Sequence, residues 1–163
     1  MSDDDGPERT DDGRYVVVGG RRWRASDPSI PEPLRAELVD ELMAARRAVR
    51  TDGDAARPRV QDAKVALGER GEPWWDEPTD AGRRTRLAAA LRTLARHRGP
   101  DGTTCPSDAA RAVGGEGWHD LMELTREVAR ALARDGDVEI TQKGEVLDPD
   151  VAWRGPVRVR AAG

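Results

Sequence analysis

At 163 residues the chain has room for one ordinary domain or two small ones. Its composition, 37% hydrophobic with 17 glycines, is normal for a globular protein with a modest core. The net charge is −4, the one cysteine excludes an internal disulfide, and no apolar run approaches the ~20 residues that cross a bilayer.

The charge is unevenly spread. Residues 1–81 carry 13 basic and 19 acidic side chains, whereas residues 82–163 carry 14 and 12. Much of the acidity lies before Gly13, where Asp3, Asp4, Asp5, Glu8, Asp11 and Asp12 face only Arg9. With no apolar side chain to offset its ordering entropy, this stretch reads as a disordered tail over residues 1–13. An acidic amino terminus is unlike a secretion signal, and an unpaired thiol suits a reducing compartment, so the expected location is the cytoplasm.

Residues 14–25 are two short runs around Gly19-Gly20, a hairpin signature because both turn positions can take positive φ. A helix is predicted from Pro31–Pro33 to about Thr51, with Leu34, Leu38, Leu42, Ala45 and Val49 on one stripe. A second helix is predicted over residues 55–69, Pro58 marking its first turn, and the two pack antiparallel. Trp74 and Trp75 follow between Pro73 and Pro78. With five tryptophans and no phenylalanine in the chain, they read as packing under the hairpin beside Trp23. A stacking platform for a base or a Pro-rich peptide is the functional alternative. Residues 14–78 thus form a hairpin and helix-pair module with a tryptophan-rich linker.

A second unit is predicted over residues 79–163. Leu87, Ala88, Leu91, Leu94 and Ala95 mark a helix ending at Gly99-Pro100. Arg83, Arg84 and Arg86 stand at its amino-terminal end, where the helix dipole does not favour cations. Pro106 opens a short helix with Cys105 or Thr104 at its cap, which ends at Gly114-Gly115. A third helix is expected to start at Trp118 and to bury Trp118, Leu121, Met122, Thr125, Val128, Ala129 and Leu132. After Asp135-Gly136, Val138 and Ile140 alternate as a strand, Lys143-Gly144 turns the chain, Val146-Leu147 returns, and Val157 and Val159 close the sheet. Helix, short helix, helix, hairpin and closing strand is the order of a winged helix, so the fold class is α+β.

Cys105-Pro106-Ser107-Asp108-Ala109-Ala110-Arg111, Trp118 with Leu121-Met122, Ile140 to Gly144, Asp148-Pro149 and Gly155-Pro156-Val157-Arg158 together resemble an uncharacterised bacterial family, domain of unknown function 3253. The resemblance spans residues 87–160 and implies a winged-helix fold; it carries no established activity. Leu38 to Val49 and Val60 to Trp75 look like a module fused ahead of this domain in actinobacterial-type proteins.

Two functional readings stay open. In the first, DNA is the partner: the Trp118 helix enters a major groove, Arg126 and Arg130 reach bases or phosphates, Arg83, Arg84, Arg86 and Lys143 take phosphates, and the Gln142-Lys143-Gly144 wing follows the backbone. Asp120, Glu123 and Glu127 on the same surface oppose it. The second is a protein-interaction module, binding a protein partner or itself without DNA, since mixed Arg and Glu surfaces suit protein interfaces. The sequence holds no phosphate loop, no metal-ligand spacing and no nucleophile motif, so no catalytic residue, metal or cofactor is expected.

Overall fold

The computed structural model describes residues 7–162. Among them the chain is α+β, with five α-helices and two three-stranded antiparallel sheets. In order come β1 (Glu8–Arg9), β2 (Tyr15–Val18), β3 (Arg21–Arg24), α1 (Glu32–Asp52), α2 (Arg57–Ala66), α3 (Asp80–Arg98), α4 (Pro106–Gly114), α5 (Met122–Arg134), β4 (Val138–Gln142), β5 (Glu145–Val146) and β6 (Arg158–Ala161). Short 3-10 segments, Gly53–Ala56 and Gly115–Leu121, join α1 to α2 and α4 to α5.

Helix α3 sits at the centre, packed by α1 and α2 on one side and by α4, α5 and β6 on the other. Its middle, LAAALRTLA, suits that place: Leu87, Ala89, Ala90, Leu91, Leu94 and Ala95 are all buried. The sequence suggests one apolar stripe; the structure buries two faces, because small alanines let neighbouring helices approach closely and need no large partner surface. One buried cluster therefore runs across residues 78 and 79, joining Leu34, Leu38, Leu42 and Leu67 to Val128, Leu132, Ile140 and Val159.

Behind α5, β4 lies between β5 and β6, with Ile140 opposite Val159 and Val138 opposite Ala161. Thr104, just before α4, bridges to Val159 and ties the helices to the sheet edge. Val138, Ile140, Val157 and Val159 are all buried, β4 packing on α5 and β6 on α3, as the alternation in the sequence requires.

Three local expectations are corrected. The acidic stretch is ordered from Glu8, which pairs with Val17 while Arg9 pairs with Val16; residues 1–6 lie outside the described residues. Backbone pairing to a hairpin edge needs no apolar side chain, which is why composition missed it. The third helix begins at Met122: Trp118 lies in the preceding 3-10 segment, stacked on His119 with ring centroids 3.6 Å apart and capped by the Arg111 guanidinium at 4.4 Å. Gly115, at φ 57°, and Gly117 delay the regular helix. The second helix ends at Ala66, three residues short of the expected end, because Gly68 at φ 80° turns the chain.

The hairpin itself matches the expectation, with Gly19 and Gly20 both at positive φ. Trp75 packs on Tyr15, centroids 5.6 Å apart, and Trp74 donates its Nε1 proton to the Ala25 carbonyl at 2.9 Å. Trp23 does not join them; it is 43% exposed.

Two core substitutions should move stability in opposite directions. Leu91→Ala opens a cavity between the two helical layers and is expected to cost about 2–5 kcal/mol. Thr93 is fully buried and its Oγ1 has no hydrogen-bond partner, so Thr93→Val should stabilise by about 1 kcal/mol. Urea denaturation of the two variants beside the parent measures both.

Candidate functional site

The residues expected to meet a nucleic acid are largely engaged with their own chain. Residues 148–156, between β5 and β6, form a strap along the flank of α5 that carries Arg126 and Arg130. Arg126 donates to the Gly155 carbonyl at 3.3 Å, and Arg130 donates through Nη1 to the carbonyls of Pro149 and, at 2.8 Å, Val151. Arg134 pairs with Asp150 at 2.6 Å. The Trp153 ring lies under the Arg130 guanidinium, 3.9 Å from its centroid, with Arg126 at 5.8 Å. Gln142 completes the strap's far end, its Nε2 donating to Arg154 and Pro156 carbonyls at 2.6 and 3.0 Å. Guanidinium on indole suits such a clamp, since the face of the ring attracts the cation.

The remaining candidates do not converge on the strap. Arg84 bridges Asp80 at 3.0 Å and Glu127 at 3.2 Å, and its pKa is held above the ordinary arginine value chiefly by the hydrogen bond to Asp80. Lys143 stands exposed at the tip of the β4–β5 turn, at φ 52°. Arg83 and Arg86 face a cleft of about 600 Å³ between the 70–78 loop, the first turns of α3 and the segment leading into α5.

Arg86 forms the floor of that cleft. Its Nη2 is 2.9 Å from Asp27 Oδ2, and its Nε donates to the Ala66 carbonyl at 3.3 Å. Burial draws the Arg86 pKa below the ordinary arginine value, and the Asp27 carboxylate opposes that pull. Asp27 is buried, and its other oxygen accepts from the Ser29 backbone N–H at 2.9 Å and hydroxyl at 2.7 Å. Among the described lining residues there is no His or Cys to act as base or nucleophile, and no described cluster of His, Cys, Asp or Glu has the makings of a metal site. The pair acts as a latch that fixes residues 25–30 onto α3.

A second charged cluster, missed in the sequence, joins α1, α2 and the segment just after α2. Arg35, Arg46, Lys64 and Arg70 all act on Glu69, yet burial raises its carboxyl above the ordinary 4.5. The signal available was weak: Arg46 and Lys64 fall off their helices' apolar stripes, and only the antiparallel packing of α1 on α2 brings them together.

Three outcomes follow from these contacts. Asp27→Ala leaves a buried guanidinium without its carboxylate and should cost about 3–5 kcal/mol in urea denaturation, most of it recovered when Arg86→Met is added. Arg130→Ala with Trp153→Ala should speed hydrogen exchange in residues 148–156 while leaving α3 protected. For Glu69, a raised folded-state pKa means that the native state binds the proton more tightly, so stability falls as pH rises from 4.5 to the raised value. Glu69→Gln should therefore be more stable than the parent at neutral pH, with the difference closing below about pH 4.

No curated protein matches the chain. Residues 84–162, from the first turns of α3 to the end of β6, match the model of a family described as "Protein of unknown function (DUF3253)", so the family likeness belongs to the carboxy-terminal half.

Proposed function

We propose that this chain is a cytoplasmic protein-interaction module whose carboxy-terminal half is a winged-helix scaffold that does not read DNA and carries out no reaction. The observation that carries this reading is the strap. A recognition helix must offer free side chains to base edges in a groove about 12 Å wide, and here Arg126 and Arg130 are spent on the carbonyls of residues 149–155 and on Trp153. The same helix presents exposed Glu123 and Glu127, each of which meets phosphates at a cost. Arg84 and Arg86, the next cations a duplex would need, are paired with carboxylates.

A nucleic-acid reading keeps one specific support. The order of α3, α4, α5, β4, β5 and β6 is that of a winged helix, and Lys143 stands exposed at the wing position. A gel-mobility assay on random-sequence duplex separates the two. The interaction reading expects no shift by the parent at about 0.15 M salt, and weak retention on a polyanion column with a shallow salt dependence. A parent shift that Lys143→Glu and Arg126→Glu/Arg130→Glu abolish would replace this reading with DNA binding.

A further inference from the structure

The antiparallel pair α1 and α2 leaves a groove of about 730 Å³ open along one side, with Val49, Pro58 and Val60 between three arginines, Arg46, Arg57 and Arg70, and one carboxylate, Asp54. Two physical features coincide there. Val49 and Val60 are half-buried and Pro58 exposed, so the floor is aliphatic and only partly covered by the protein's own side chains. The rim carries a surplus of positive charge: among the described residues Arg70 donates to Gln61 Oε1 at 2.5 Å, and ion pairs on these helices instead join Arg57 to Asp54 and Arg59 to Glu41. Arg46 and Arg70, together with Arg35 and Lys64, act at longer range on the half-buried carboxylate of Glu69. Their mutual repulsion is felt at Lys64, whose pKa is lowered first by burial and then by Arg70 and Arg46. In a chain of net charge −4, such a local excess over an uncovered aliphatic floor is a cost to the free protein that a partner of opposite charge relieves.

We infer that the α1–α2 groove docks a short acidic amphipathic segment of a partner protein, its aliphatic side chains on Val49 and Val60 and its carboxylates on Arg46 and Arg70. The inference deepens the protein-interaction reading above and rests on it. Helix-in-groove recognition needs this combination, an apolar channel between two helices with charges that set the orientation of the incoming helix. A single-stranded nucleic acid fits less well. Bases need free aromatic faces, the floor is aliphatic, and the nearest exposed ring, Trp23, already carries Arg21 at 4.3 Å and Lys64 at 5.5 Å from its centroid.

The test is fluorescence anisotropy of the full chain with a labelled helix-forming peptide of Glu and Leu, Leu recurring at helical spacing. Two control peptides share its length: one with Lys in place of Glu, one with the same composition scrambled so that Leu no longer forms a stripe. Binding of the acidic amphipathic peptide alone, weakened about tenfold or more by Arg46→Glu/Arg70→Glu and by Val49→Glu, is the expected result. Both arginines are exposed, and a thermal melt of each variant checks that the fold is intact. Failure of the acidic peptide to bind, equal binding of the scrambled one, or indifference to Arg46→Glu/Arg70→Glu overturns the inference. So does equal competition by a single-stranded oligonucleotide, or a parent dimer in sedimentation velocity that the same double substitution dissociates, since these assign the groove to a nucleic acid or to a second copy. The duplex assay is independent: a chain that shifts no duplex and binds no acidic peptide loses this inference alone.

Discussion

Helix α3 has to serve two layers at once. On one side it meets α1 and α2, on the other α4, α5 and β6, and each layer buries a different face of it. A helix of large side chains would hold such neighbours apart; Ala89, Ala90 and Ala95 keep them near while Leu87, Leu91 and Leu94 fill the space between. The consequence is a continuous buried cluster from Leu34 to Val159, so the hairpin module and the carboxy-terminal sheet are held by the same element.

Arginine does a second kind of structural work around that axis. Arg86 is buried against Asp27 and fixes the segment between β3 and α1. Arg92 and Arg96 reach Asp62 on α2, and Arg98 reaches Glu37 on α1 at 3.0 Å. Arg126, Arg130 and Arg134 clamp the strap over α5. A planar guanidinium with five donors can bind a carbonyl and lie on an indole together, which lysine cannot do. Many of the arginines in the sequence are thus paired within the chain.

The tryptophans divide in the same way. Trp74 and Trp75 fasten the 70–78 loop beneath the hairpin through Ala25 and Tyr15, and Trp153 is the anvil for Arg130. Trp23 alone remains substantially exposed among the described residues that would have made a stacking platform. Half-buried indoles, with the N–H groups of Trp74 and Trp153 satisfied, stabilise loops that composition alone would leave free.

Element order and most of the core can be read from local patterns in the chain. The i, i+4 stripe of α1, the two-residue alternation of β4 and β6, and the punctuation by Gly19-Gly20, Pro106, Gly136 and Lys143-Gly144 are local signals that act over a few residues. Where each charge ends is set by packing. Nothing local to Arg86 names Asp27, nearly sixty residues earlier, and nothing in the spacing of Arg126 and Arg130 shows that residues 149–155 will lie across them. Charged side chains take partners by distance in space, after the helices have packed. Periodicity can say which face of α5 is polar, but only packing tells whether that face meets solvent, a partner or the protein's own loop.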